Sequence, residues 1–219
     1  MIIEYYNYDI ASNDTEIKNC LLEATKYYPN LISVLPQSLR MSRATLGDGF
    51  EISCPIDYPF GCSDSISRQK MAEYAIKNGV NKLDIVLPTY AICNRKYVKL
   101  REEIQIIRDL IGASDISIRY ILEYRTFNYE TLYKVCKLLF SNNITDVFPS
   151  SGFGLDNIYD NLIAGSLINK KIPTINIINN GNSWTEKQIE DAIQNKPYGL
   201  RVNSINCLEI LYKKSLKNS

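Results

Sequence analysis

Histidine is absent from this 219-residue chain. Its absence removes Ser-His-Asp triads, imidazole metal ligands and an imidazole general base. Six cysteines stand at 20, 54, 62, 93, 136 and 207, and no two have the CxxC spacing of a zinc ribbon or a dithiol redox motif. They read as scattered, mostly buried thiols of a reducing compartment rather than a disulfide framework. Bulk charge is lacking too. The formal net charge is +1, so neither nucleic acid nor an anionic membrane is expected as a partner. The basic cluster Lys213, Lys214 and Lys217 reads as a solvated helix end. No apolar run reaches the ~18 residues of a membrane span. Met1–Asp9 is acidic and tyrosine-rich, without the basic start of a signal peptide. The expected location is the cytoplasm. The wealth of Asn, Ile, Lys and Tyr fits an AT-rich genome, which for a virus or phage would mean the host cytoplasm or the virion. Both GxGxxG and GxxxxGK[ST] are missing, so the usual nucleotide-binding turns are not there. No cofactor is expected. Without histidine a metal would rest on oxygen ligands such as Asp84 and Glu123; these form no cluster in the sequence, and no metal is expected.

What is present is regular alternation. The chain is 45% hydrophobic and 22% charged, an ordinary globular balance. Strand-like runs rich in Ile, Val, Leu and Tyr occur at Ile2–Tyr6, Leu31–Pro36, Glu51–Ile56, Leu83–Pro88, Ser117–Glu123, Asp146–Ser150, Thr174–Asn179 and Gly199–Asn203. Between them, helical spacing marks Asp14–Tyr27, with Ile17, Leu21 and Ala24 on one face, and Ser65–Asn78, carrying Ile66, Met71, Ala75 and Ile76. It continues at Tyr97–Ile111, Tyr129–Phe140, Leu155–Asn169, Thr185–Gln194 and Leu208–Lys217. Asn13 with Glu16 and Thr185 with Gln188 have capping-box chemistry, and Asn78-Gly79 suits a helix C-terminus. Strict β-α alternation demands a parallel sheet covered on both faces. Eight evenly spaced strands and no glycine-rich first turn favour a single (β/α)8 barrel over residues 1–219. In such a barrel, function resides where the strands end.

Several of those strand ends resemble deoxyribose-phosphate aldolase. The family's third and fourth strands have the pattern Phe-Pro-x-Gly followed by Lys-x-x-Glu and an apolar strand bearing Asp; here Tyr58-Pro59-Phe60-Gly61, Lys70 with Glu73, and Leu83-Asp84-Ile85-Val86 stand in that order. The family's fifth strand is matched by Ile118-Arg119-Tyr120-Ile121-Leu122-Glu123, and its Lys-Thr-Ser-Thr-Gly-Phe motif by Phe148-Pro149-Ser150-Ser151-Gly152-Phe153. The ordered set spans roughly residues 2 to 210.

The resemblance implies an aldolase that works through a lysine Schiff base, and here the departures are chemical. Phe148 stands at the Schiff-base lysine, and a phenyl ring has no nucleophilic nitrogen. The family's second lysine is matched by Asn176, within about two residues of register. Its phosphate-holding turns are matched only by Asn179-Asn180-Gly181 and by Asn203-Ser204-Ile205-Asn206.

Asp84 matches the family's proton-relay aspartate and Arg119 a neighbouring lysine. Period two on adjacent strands puts both inside the barrel within ion-pair reach. One reading is a retained acid/base group held ionised by Arg119. The other is a buried structural pair filling a layer that once served catalysis. Ser150, Ser151, Asn179, Asn180, Gly181 and Arg201 are the candidate ligand-binding residues, for a small phosphorylated or carbonyl compound at the strand tips. Turn chemistry accounts equally for the serines, asparagines and Gly181, and a barrel ion pair for Arg201. Tyr5, Tyr6 and Tyr8 serve packing or ligand stacking. Lys70 and Lys82 lie away from the tips; Lys96 and Lys99 are the nearest lysines for a relocated Schiff base. The favoured expectation is a pseudoenzyme, a barrel working as a binding or structural component in a homo-oligomer or larger assembly. The alternative is a lyase acting on a small sugar phosphate or aldehyde by a modified mechanism.

Overall fold

A computed structural model describes residues 1–153, 157–182 and 184–217. Eight parallel strands pair in sequence order and close on themselves: β1 (Ile2–Asn7), β2 (Leu31–Val34), β3 (Ile52–Ile56), β4 (Lys82–Val86), β5 (Ser117–Ile121), β6 (Asp146–Phe148), β7 (Asn176–Asn180) and β8 (Gly199–Val202). This is the expected (β/α)8 barrel. Helices between the strands form the outer shell: α1 (Asp14–Thr25), α2 (Leu39–Leu46), α3 (Ser65–Lys77), α4 (Thr89–Cys93), α5 (Tyr97–Ile111), α6 (Tyr129–Ser141), α7 (Ile158–Lys171), α8 (Glu186–Gln194) and α9 (Ile205–Lys217). The expected helix start at Leu155 falls outside the described residues, as do Gly154, which follows the polar segment from Ser150, and Ser183, which follows the polar segment from Asn179.

Alternation along each strand sorts the side chains into two cores. Outward positions such as Tyr5, Ile32, Ile52, Cys54, Leu83, Ile85, Tyr120, Val147 and Leu200 are buried under the helices. Inward positions are largely polar, except for a small apolar layer of Val86, Ile121, Phe148 and Ile178. Both expected capping boxes form, Asn13 with Glu16 and Thr185 with Gln188. Asn78 caps α3 and the following Gly79 takes φ +79, a left-handed geometry that suits glycine.

The sequence pattern does not announce α2. Its buried face is Leu39, Ser42 and Leu46, so one apolar position of the spacing is filled by a serine whose hydroxyl bonds back to Ser38. The face of α3 also differs from expectation. Arg68, Ala72 and Ala75 are buried, while Ile66 is exposed. An ion cluster described below draws Arg68 inward. Among the thiols, Cys54, Cys136 and Cys207 are buried as expected, but Cys62 and Cys93 are exposed. No helix among the described residues is long and apolar enough to cross a membrane.

Candidate functional site

Four charged side chains meet inside the barrel. Register places Asp84 beside Arg119 on neighbouring strands and Glu4 beside Arg201 where β1 meets β8. Arg119 Nε donates to Asp84 Oδ1 at 2.7 Å and its Nη1 to Glu4 Oε1 at 2.5 Å. Arg201 Nη2 donates to Glu4 Oε2 at 2.6 Å and to Asp84 Oδ2 at 2.8 Å. The result is a closed ring in which each acid touches both arginines. Arg119 Nη2 also lies 2.7 Å from Asp84 Oδ1, but off the hydrogen-bonding direction, so it contributes charge contact alone. Ser53 Oγ, 2.7 Å from Asp84 Oδ2, satisfies a further lone pair, and Tyr8 Oη and Ser33 Oγ continue the network at 2.7 Å from each other.

All four charges are buried. Burial alone would raise the Asp84 carboxyl; Arg119 and Arg201 outweigh it and hold the group down to about 2. Burial likewise lowers both arginines, but Asp84 and Glu4 more than reverse this and raise them. The ring pairs two acids with two arginines, so its formal charges cancel. Its planar cations pack against one aromatic ring: the guanidinium carbons of Arg119 and Arg201 sit 4.9 and 4.1 Å from the Phe148 ring centroid.

The C-terminal mouth is built from tyrosines. Tyr6 and Tyr8 have ring centroids 4.7 Å apart, and Tyr8 and Tyr58 4.8 Å. Phe153 meets Tyr58 at 6.1 Å and Phe60 at 5.5 Å, edge to face. Tyr58 also packs onto the apolar layer that contains Phe148. Tyr6 Oη donates to Asn182 Oδ1 at 2.6 Å. Burial, then the Glu123 carboxylate, raises the Tyr58 hydroxyl. Asp57 and Glu123, at the ends of β3 and β5, adopt φ of 57 and 51, a left-handed backbone that non-glycine residues avoid.

Ser150, Ser151, Asn180 and Gly181 come together beside this mouth. Their polar groups are largely taken up by neighbouring protein groups. Ser150 Oγ accepts from Gly152 N at 3.2 Å and from Asn161 Nδ2 at 2.9 Å. Ser151 N donates to Glu123 Oε1 at 2.5 Å, and Phe153 N donates to Ser151 Oγ at 3.2 Å. Asn180 Nδ2 holds the Ser151 carbonyl at 3.0 Å, while its Oδ1 is buried without a hydrogen-bond partner. Asn179 does not join the group. One residue before Asn180, it projects from the outer face of β7 toward Gly165 of α7. Arg201 is fully buried in the ring and directs only Nη1 toward Tyr8 Oη, at 3.4 Å.

A second buried ion cluster flanks the mouth. Arg68, from α3, binds Asp57 Oδ2 at 2.5 Å, Glu103 Oε2 at 2.5 Å and the Val86 carbonyl at 2.6 Å. It ties α3 and α5 to the ends of β3 and β4. Among the described residues no lysine is buried. Lys70 and Lys99 pair with Glu73 and Glu102 on their own helices, Lys82 with Glu51, and Lys96 lies over the Tyr90 ring at 5.4 Å. No group of three or more Cys, Asp or Glu among the described residues is placed to hold a metal ion.

Of the residues named from sequence, Asp84, Arg119 and Arg201 are in one network. Glu4, which the sequence reading does not single out, completes it. Its signal was available: an acid at the central inward position of Ile2-Ile3-Glu4-Tyr5-Tyr6 must be paired if that segment is a barrel strand.

No family model matches the chain. Among curated proteins it is similar to the deoxyribose-phosphate aldolase of Clostridium botulinum, 26% identical over 141 residues, 64% of this chain and 62% of that one. The match thus spans less than two thirds of that relative. Among solved structures, the aldolase QR15 superposes with a TM-score of 0.85 at 19% identity, over 99% of this chain and 96% of the other. A deoxyribose phosphate aldolase of Aeropyrum pernix, described as a unique tetramer, gives 0.80 at 15% identity, over 98% and 90%. The likeness to deoxyribose-phosphate aldolases is thus found in curated relatives, and the barrel in solved structures.

Proposed function

We propose that this relative of the deoxyribose-phosphate aldolases is a single barrel domain that works as a binding or structural component, without Schiff-base aldolase chemistry. One observation carries the reading. Phe148, at the position that the resemblance matches to the reactive lysine, is fully buried against two guanidiniums that are themselves locked to Asp84 and Glu4. A Schiff base needs a neutral amine that a carbonyl carbon can reach. Here the position offers a buried hydrocarbon ring, and Tyr58 packs on the apolar layer that contains it.

The ring has the properties of a structural element. Asp84 is ionised, but both oxygens are occupied by arginines and Ser53, and arginine does not give up its proton to do acid/base work. The backbone amides of Ser151, Gly152 and Phe153, in the turn after β6, bond to Glu123, Ser150 and Ser151 and are not free for an anion.

A second reading, a lyase acting on a small sugar phosphate or aldehyde by a modified mechanism, is favoured by one feature. Asn180 Oδ1 is buried at the mouth without a partner and would accept a hydroxyl from a ligand. Turnover separates the two. With 2-deoxyribose 5-phosphate, acetaldehyde release followed through a coupled dehydrogenase should equal the blank. Release in proportion to protein would replace the first reading with the second.

A further inference from the structure

The outer face of α7 is unlike a solvated helix surface. At about 100° per residue, Tyr159, Asp160, Ile163, Leu167, Lys170 and Lys171 share it. The three large apolar side chains are 40%, 55% and 38% exposed, in one i, i+4, i+8 stripe. The charges are sorted around that stripe, acid at its start and base at its end. Helices α3, α5, α6 and α9 carry acid–lysine pairs three or four residues apart. Asp160, Lys170 and Lys171 have no ion pair with any described residue, and about 15 Å of helix separates the acid from Lys170. Their order suits the helix dipole, but the dipole does not explain the apolar centre between them.

A face that is acidic at one end, apolar in the middle and basic at the other is complementary to itself when turned around. We infer that the chain self-associates through α7, packed antiparallel against α7 of a second copy about a two-fold axis at the level of Gly165. That axis sets Asp160 of one copy against Lys170 of the other and Ile163 against Leu167, and each contact occurs twice, as an isologous interface requires. The neighbouring surface extends the contact. An open groove of about 760 Å³ runs between α7 and α8, with Asn179 at its base and Tyr198 on its far wall, 43% exposed. The inference gives a surface to the structural role proposed above and rests on that reading only in this sense; oligomeric state is measured independently of turnover, so either can fail alone.

Sedimentation velocity on the full chain across a concentration series tests it. The wild type should show a concentration-dependent dimer. Ile163→Lys, at a half-exposed site that leaves the barrel folded by circular dichroism, should be monomeric. Asp160→Lys and Lys170→Asp should each weaken association roughly tenfold, since each breaks both symmetry-related pairs. The double variant, which restores opposite charges across the axis, should recover most of that loss. A monomer at every concentration, a dimer indifferent to Ile163→Lys, or a double variant weaker than either single one would overturn the proposal.

Discussion

Asp84→Asn keeps the shape of the side chain and removes one charge from the centre of the barrel. In the wild type, two arginines and two carboxylates cancel, with Asp84 2.7 Å from Arg119 Nε and 2.8 Å from Arg201 Nη2. The substitution leaves two guanidiniums facing Glu4 alone, in a volume that excludes water. An uncompensated buried charge costs about 3–5 kcal/mol, a large share of the ~5–15 kcal/mol that holds a domain folded. The matching control is Asp84→Asn combined with Arg119→Met, which returns the interior to neutrality around the Glu4–Arg201 pair. The double variant should therefore lose less than the sum of the single losses, with a coupling of about 1–3 kcal/mol. Urea unfolding at pH 7, followed by far-ultraviolet circular dichroism, measures all four proteins. A loss below about 1 kcal/mol for Asp84→Asn, the size of an ordinary surface substitution, or strict additivity in the double variant, would refute a neutral ring of mutually dependent charges.

Three further outcomes follow from the same geometry. Asp84 is held at about 2 against an ordinary 3.8, so the unfolded chain takes up the proton first as pH falls; this stabilisation is complete above pH 3.8 and lost as pH drops through 2. It is worth about 2 kcal/mol, and the urea midpoint of the wild type should fall over that window more than that of Asp84→Asn. Phe148→Lys puts a third cation between Arg119 and Arg201. It should cost about 3 kcal/mol or more and produce no retro-aldol turnover; a stable variant that releases acetaldehyde would contradict the burial of this position. Gly61 has φ +62, and a Cβ there would lie 2.1 Å from the Leu87 carbonyl oxygen, a backbone atom that cannot swing aside. Gly61→Ala should lower stability by about 3 kcal/mol or more, and an unchanged melting temperature would show that the loop between β3 and α3 relaxes freely.

The barrel was legible because each strand is a short apolar run between turn residues, and all eight lie where the runs are. What hid α2 was a serine in its buried stripe, and what hid the packing of α3 was Arg68, a charge whose partners Asp57 and Glu103 lie 11 and 35 residues away. Site residues followed the same division. Period two and the neighbouring strand made the Asp84–Arg119 pair readable. Glu4 and Arg201 each called for a buried partner, but their pairing with each other was not readable, because they meet only when the first strand closes on the last, 197 residues apart. Asn179 and Asn180 show how sharp the limit is. One residue of register decides which of two adjacent asparagines faces the mouth and which faces α7.

Borohydride trapping tests the central claim most directly. The full chain is incubated with acetaldehyde or 2-deoxyribose 5-phosphate, reduced, and its intact mass recorded. Phe148 in place of a lysine, and no lysine buried among the described residues, lead to one expectation: a mass unchanged by substrate. A substrate-dependent increment that maps to a single lysine, Lys96 or Lys99 included, would show that a Schiff base forms in this barrel and would contradict its loss.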